Sequence, residues 1–163
     1  MNKKSYVTKK LESIDTKELE DILLSKKMTS SSKMLKDNEE YLIEEEKKFS
    51  YYIKDLIKEK GLTIKDVIYN SGESENYGRK IISQEKITKD RNLILKICIA
   101  AKLNLKETNR ALRLYGMKGL YAKDKRDAAI MIEINKGNRT VEDIDAALIE
   151  NDLEILSKIK KED

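Results

Sequence analysis

Apolar side chains recur at intervals of three and four residues along most of this 163-residue chain, and they rarely alternate with polar ones. This spacing places them on one face of an α-helix, whereas a half-buried strand would need a period of two. The chain has no proline and only six glycines to interrupt such helices. We therefore predict an all-α protein.

Positive charge is concentrated in the middle of the chain. Residues 49–126 contain 18 Lys and Arg residues against 9 Asp and Glu residues, which gives them a net charge of +9. Residues 1–34 carry +3, residues 35–48 carry −3 and residues 127–163 carry −5, so the formal charge of the whole chain is only +4. A basic patch on a helical scaffold is the electrostatic signature of a nucleic-acid-binding protein.

Charge and helical spacing together divide the chain into three parts. Residues 1–48 are predicted to form an N-terminal helical arm and linker, and residues 49–116 a five-helix core of the helix-turn-helix type. Residues 117–163 are predicted to form a C-terminal extension that contains a pair of helices.

Three local structures are expected in the arm. Residues 9–27 have the pattern of one amphipathic helix, with Asp15 or Thr16 as a capping residue. The hydroxyl-rich residues 29–33 are expected to form a flexible loop or, alternatively, a phosphorylation site. The acidic residues 35–48 are expected to be a solvated helical face rather than a metal or acid–base site.

The core domain is predicted to contain five helices. They cover residues 49–60, 63–70, 74–82, 89–102 and 106–115. Thr63 and Ser74 have the side chains preferred at helix N-caps. Ser71-Gly72 separates the second helix from the third, and the fourth helix is strongly apolar.

The second and third predicted helices carry the functional prediction. In a helix-turn-helix the third helix enters the major groove of DNA, which makes residues 74–83 the recognition helix. Arg79 can pair with guanine and Asn76 with adenine, while nearby lysines lie close to phosphates. The predicted DNA-contacting residues are Lys65, Ser74, Glu75, Asn76, Arg79, Lys80, Ser83, Gln84, Lys86 and Lys89.

A solvated helix face is the alternative interpretation of Arg79 and Lys80. Glu73 and Glu75 also count against contact with DNA, because phosphate repels a carboxylate unless that carboxylate accepts a hydrogen bond from cytosine. The residues of the third helix therefore leave both interpretations open.

Residues 61–105 resemble the helix-turn-helix of the xenobiotic-response-element and phage-repressor type. This resemblance rests on Gly61-Leu62-Thr63, Val67, Ser71-Gly72, Ser74 and the run 93–105. A longer stretch resembles a subset of such regulators in Gram-positive anaerobes, which carry an N-terminal helical arm and a C-terminal helical pair. The longer resemblance rests on Tyr77-Gly78, Ile81, residues 108–116, Leu120-Tyr121 and residues 125–130. It implies a transcriptional regulator that binds double-stranded DNA.

Three departures from that family pattern support a second hypothesis. Ile64 stands where the family often has a polar residue that touches phosphate, and Ile68 stands where a small alanine often lets two helices approach. Residues 83–88 lack the glycine and proline that are common in the following loop. The alternative is thus a protein-interaction adaptor that keeps the scaffold but no longer contacts DNA.

The C-terminal helical pair suggests a homodimer, because such regulators often bind DNA as two-fold dimers. The apolar residues on which this hypothesis rests are Ile130, Ile134, Ile144, Leu148, Leu153 and Leu156. The alternative is that the same face packs on the protein's own core.

The composition argues against other classes of function. The chain has no histidine and a single cysteine, Cys98, which lies in an apolar run and is expected in the core. A zinc finger or an imidazole-based catalytic set cannot be built from these residues, and neither an enzyme nor a cofactor is expected. Because the chain also lacks an apolar run of about 20 residues and a signal peptide, we expect a soluble cytoplasmic protein without membrane contact.

Overall fold

The computed structural model describes residues 4–158, and this part of the chain is helical with no strand, as predicted. Ten α-helices and one short 3-10 helix lie within it. They are α1 (Tyr6–Ser13), α2 (Thr16–Leu24), α3 (Ser31–Asp37), the 3-10 helix (Glu39–Tyr41), α4 (Lys48–Glu59), α5 (Ile64–Ser71), α6 (Glu75–Ile82), α7 (Arg91–Ala100), α8 (Leu105–Leu114), α9 (Lys125–Lys136) and α10 (Val141–Glu150).

The N-terminal arm begins with two helices, so the prediction of one helix over residues 9–27 was wrong. Ile14 adopts an extended backbone (φ −153°, ψ 144°) that ends α1. Asp15 then takes the N-cap position of α2, although its side chain makes no capping hydrogen bond. Ile14 is β-branched and has a lower helix propensity, and Asp15 is a residue type preferred at helix N-caps, so the break occurs between the two helices at these residues.

Helix α1 is attached to α4 by both apolar and polar contacts. Val7 is fully buried, and Asp55 Oδ2 accepts hydrogen bonds from the Ser5 amide at 2.9 Å and from the hydroxyls of Ser5 and Thr8, both at 2.5 Å. A carboxylate at the first turn of a helix also interacts favourably with the helix dipole. By contrast, α2 has no buried residue.

Residues 30–46 differ from both expectations for this segment. The Ser30 hydroxyl accepts a hydrogen bond from the Lys33 amide at 3.3 Å and caps α3, so the predicted flexible loop is partly helical. The acidic run is not one helical face, because α3 ends at Asp37 and the backbone is extended at Leu42 (φ −91°, ψ 144°). Lys10 Nζ donates to the Leu42 carbonyl at 2.6 Å and holds this segment against α1.

Helices occur at all five positions predicted for the core domain, from α4 to α8. Helix α7 lies at the centre, since every residue from Leu93 to Ala100 is buried. It packs against α5, α8 and α10. Cys98 is fully buried in this helix, as predicted.

The C-terminal helices α9 and α10 pack on each other and complete the same core. Ile130, Ile144 and Leu148 are fully buried, and Leu156 is almost so. Most of the apolar face on which the homodimer hypothesis rested therefore packs inside the chain itself, which is the alternative that the sequence left open. Within residues 4–158, no helix is long and apolar enough to cross a membrane.

Candidate nucleic-acid interface

Helices α5 and α6 are joined by a tight turn whose local signals were visible in the sequence. Thr63 Oγ1 accepts a hydrogen bond from the Asp66 amide at 3.1 Å and starts α5 where predicted. Gly72 ends α5 with a left-handed backbone (φ +84°), and its N–H donates to the Tyr69 carbonyl at 3.1 Å. Glycine suits this position because a side chain would strain the left-handed conformation.

Helices α5 and α6 make their closest approach where Ile68 meets Gly78. A Cβ added at Gly78 would lie 2.5 Å from Ile68 Cγ2, which is far inside van der Waals contact. Gly78 is buried in α6 and Ile68 is buried in α5. The small residue that allows close packing is therefore on α6, and this compensates for the bulky Ile68 on α5.

An ion pair between Glu73 and Lys96 lies behind the turn. Lys96 Nζ donates to Glu73 Oε1 at 2.9 Å, and only 4% of the Lys96 side chain is exposed. The pair ties the start of α6 to the central helix α7. The negative charge of Glu73 is thus neutralised in the interior, and this removes one of the two objections to contact with DNA. Sequence reasoning missed the pair because 23 residues separate its members.

The exposed face of α6 carries Glu75, Asn76 and Arg79, opposite the buried Ile81 and Ile82. Arg79 donates to Glu75 Oε1 from Nη2 at 3.0 Å and from Nε at 3.3 Å. About half of each side chain is exposed, so solvent screens the pair and its breakage costs little. Arg79 can therefore exchange Glu75 for another acceptor.

Ser74, Ser83 and Gln84 lie at the two ends of α6 and differ in their freedom to bind a ligand. Ser74 occupies the predicted N-cap position, but its side chain makes no capping hydrogen bond. The Ser83 hydroxyl donates to the Lys80 carbonyl at 3.2 Å. Gln84 Oε1 accepts a hydrogen bond from the Ser50 amide at 3.0 Å and so satisfies the first turn of α4. The role of Gln84 includes this structural contact, which no local signal in the sequence indicates.

Four lysines lie on α6 or on the segments next to it in sequence. Lys65 on α5 and Lys86 and Lys89 after α6 are exposed, whereas Lys80 is partly buried. None of the four forms an ion pair with a carboxylate of residues 4–158. Lys86 Nζ lies 5.6 Å from the centre of the Tyr77 ring, within the range of a cation–π contact. Their positive charge remains available to an anionic ligand.

The loop that carries Lys86 and Lys89 is anchored without glycine or proline. The Thr88 amide donates to Tyr115 Oη at 3.0 Å, and the Tyr115 ring meets Phe49 edge-on at a centroid distance of 4.9 Å. Burial raises the pKa of Tyr115, and the hydrogen bond from the Thr88 amide opposes part of this shift. Asp90 then accepts from the Asn92 amide at 3.0 Å and starts α7.

The ten predicted contact residues thus gather on α5, α6 and the loop that follows. No protein-family model matches the chain, and no curated protein or solved structure matches it either. Contact of these residues with DNA stays a prediction. Among residues 4–158, no group of three His, Cys, Asp or Glu side chains is arranged to hold a metal ion.

Proposed function

We propose that this protein is a sequence-specific DNA-binding transcriptional regulator. In this proposal α4 to α8 form a helix-turn-helix core, α5 and α6 are its two characteristic helices, and residues 74–83 are the recognition helix. The observation that carries the proposal is the polar, exposed face of α6 together with four lysines that form no ion pair within residues 4–158.

The pairing of Glu75 with Arg79 suggests how α6 recognises bases. Arg79 would leave Glu75 and donate two hydrogen bonds to guanine in the major groove. The released Glu75 carboxylate would accept a hydrogen bond from the amino group of a cytosine. Asn76, on the same face, has the amide suited to adenine. Lys80, Lys86 and Lys89 would contact phosphates, and in this proposal Lys65 on α5 would join them.

Fluorescence anisotropy at two salt concentrations tests the proposal, with a randomised duplex pool and with DNA from upstream of the protein's own gene as ligands. We expect binding that weakens at the higher salt concentration, because each neutralised phosphate releases counterions. Arg79→Ala is expected to weaken binding and relax the preference at one base pair, whereas Lys80→Ala weakens binding to all sequences alike. Lys54→Ala and Lys58→Ala change exposed lysines of α4 and provide the control.

A protein-interaction adaptor is the second candidate function. Two apolar side chains near α6 are largely exposed, Tyr69 at 82% and Ile87 at 66%. Exposed aromatic and aliphatic groups are typical anchors at protein interfaces. Two results together would favour the adaptor. The folded protein would bind no duplex at low salt, and it would bind a protein partner that the variant Tyr69→Ala with Ile87→Ala no longer binds.

A homodimer would have to use residues other than the buried face of α9 and α10. Ile132 and Ile149 are the large apolar side chains that these helices leave exposed, at 59% and 63%. Light scattering at micromolar concentration measures the oligomeric state, and a dimer that Ile132→Ser with Ile149→Ser dissociates would place the interface there.

A further inference from the structure

A basic groove lies apart from α6, between the start of α7, the end of α8 and the segment that leads to α9. It is open and has a volume of about 670 Å³, which is within the usual range for small-ligand sites. Four cationic side chains line it, from Arg91, Arg113, Lys118 and Arg126, against two carboxylates.

The segment that forms one wall of this groove is held rigidly by side chains. The Leu120 amide donates to Asn109 Oδ1 at 2.7 Å. Arg91 donates to the carbonyls of Lys118 and Gly119, both at 3.1 Å. Because these bonds already fix the loop, a ligand would bind without the entropy cost of ordering it.

Both carboxylates of the groove already have partners. Asp127 forms two hydrogen bonds of 2.9 Å with Arg91 and also accepts from the Tyr121 amide at 3.0 Å. Asp124 Oδ1 accepts from the Asp127 amide at 2.9 Å and caps α9. Asp127 thus offsets the charge of Arg91, whereas neither carboxylate forms an ion pair with Arg113, Lys118 or Arg126 within residues 4–158.

Three cations of the groove therefore form no ion pair within residues 4–158, although the charge of Arg126 helps to lower the pKa of Asp127. Arg126 donates only to neutral acceptors, which are the carbonyls of Glu154 and Ile155 and the side-chain oxygen of Asn92. Arg113 and Lys118 are exposed and form no ion pair within residues 4–158. An anion would find these donors already in place.

Gly119 and Tyr121 give the groove its shape. The Arg113 guanidinium lies over the loop at Gly119, since a Cβ added there would lie 3.4 Å from Arg113 Nη2, at van der Waals distance. Tyr121, which also lines the groove, is 59% exposed, and the partly buried Met117 lies beside it. An aromatic ring beside free cations is a combination that suits a ligand with both a planar ring and a negative charge.

We propose that this groove binds a nucleotide, in which Arg113 and Lys118 hold the phosphates and Tyr121 stacks on the base. Arg91 is a positioning residue in this site, because it fixes the loop through two backbone carbonyls and holds Asp127. None of the ten residues of the proposed DNA-binding face lines the groove, and the test of the groove does not depend on DNA binding.

Isothermal titration calorimetry of the full chain tests this site with ATP, adenosine and tripolyphosphate as probes. We expect ATP to bind saturably and more tightly than either fragment, since only ATP uses both the cations and the ring. Arg113→Ala with Lys118→Ala should weaken ATP binding at least about tenfold, which corresponds to the loss of one good charge-assisted hydrogen bond. Tyr121→Ala should weaken ATP and adenosine but leave tripolyphosphate unchanged.

Lys54→Ala with Lys58→Ala removes the same charge from α4 and should leave ATP binding intact, and urea denaturation confirms that every variant is folded. Absence of saturable ATP binding up to millimolar concentration would overturn the proposal, as would an equal loss in the α4 control. A third result would also overturn it: the wild type binds no ATP, and Arg113→Ala with Lys118→Ala weakens binding to duplex DNA. The groove would then be part of a DNA interface.

Discussion

Gly78 of α6 faces Ile68 of α5 so closely that a single added methyl group would lie 2.5 Å from Ile68 Cγ2. The pair sets how near the two helices can approach. The bulky Ile68 fits between the two closely packed helices because Gly78, which faces it, has no side chain. The orientation of the exposed α6 face depends on this contact.

Gly78→Ala is expected to destabilise the fold by about 1–3 kcal/mol, because overpacking outweighs the helix propensity gained from alanine. Ile68→Ala in the same chain should cost less than it does in the wild type, since it also relieves the clash that Gly78→Ala creates. Urea denaturation measures both, with Asn76→Ala as an exposed control on α6. A Gly78→Ala protein more stable than the wild type would contradict the contact.

Removal of Glu73 is expected to be more harmful than removal of its partner. Glu73→Ala leaves the ammonium group of Lys96 buried without its anion, which typically costs about 3–5 kcal/mol. Lys96→Met should cost less, because Glu73 lies nearer to solvent than Lys96 does. Thermal denaturation of the two single variants and of Glu73→Gln with Lys96→Met measures the difference. Equal losses in the single variants would show that the pair is not buried as described.

The Cys98 thiol is expected to react only when the protein unfolds. Burial raises its pKa from 9.0 to about 12, so almost no thiolate forms in the native state near neutral pH. Labelling with a thiol reagent at pH 8 should therefore proceed at the rate of unfolding and accelerate with urea. Rapid labelling of folded protein without denaturant would contradict this account.

The same shift predicts a loss of stability at alkaline pH. The pKa of Cys98 is higher in the native state than in an unfolded chain, so ionisation of the thiol favours unfolding. The stability of the native state is therefore unaffected by this group below about pH 9 and decreases as pH rises toward 12. Cys98→Ala should flatten that decrease in a series of urea midpoints between pH 8 and 11. An identical slope in wild type and variant would argue against this assignment.

Asp127 is expected to contribute to stability at neutral pH and to lose that contribution in acid. Burial opposes its charged form, but hydrogen bonds from Arg91 and the Tyr121 amide outweigh burial and hold the pKa of Asp127 below its usual 3.8. Stability from this group is complete above about pH 4 and disappears as pH falls through the lowered value. Asp127→Asn should reduce Tm at pH 7 more than at pH 3, whereas the exposed control Asp21→Asn should change neither. Equal losses at both pH values would exclude the charge as the cause.

The local features of the core could be predicted from sequence because their signals lie within a few residues. Thr63 caps α5 through an amide three residues away, and Gly72 ends the same helix. The apolar spacing of residues 89–102 likewise predicted a strongly apolar helix that contains Cys98, and the structure places it at the centre of the core. In the arm the same reasoning predicted one helix over residues 9–27, whereas the structure has two. The apolar spacing continues across Asp15, so it did not show that Asp15 begins a second helix.

The contacts that fix the two proposed sites could not be predicted, since each joins distant parts of the chain. Gln84 contacts the Ser50 amide across 34 residues, and Arg91 pairs with Asp127 across 36. Residues 125–130 supported the family resemblance, and the structure gives Arg126 and Asp127 anchoring contacts in the interior. Polar residue types alone do not distinguish such anchors from ligand contacts.

The salt dependence of duplex binding measures how many of the lysines on and beside α6 contact phosphates. Lys65, Lys80, Lys86 and Lys89 are changed together to glutamine, and log Kd is measured against log salt concentration for this variant and for the wild type. We expect a steep wild-type slope that decreases by about 0.9 for each lysine that contacts a phosphate, while Lys54→Gln with Lys58→Gln leaves the slope unchanged. A folded wild type that binds no duplex at low salt, or a quadruple variant with the wild-type slope, would contradict DNA recognition through α6.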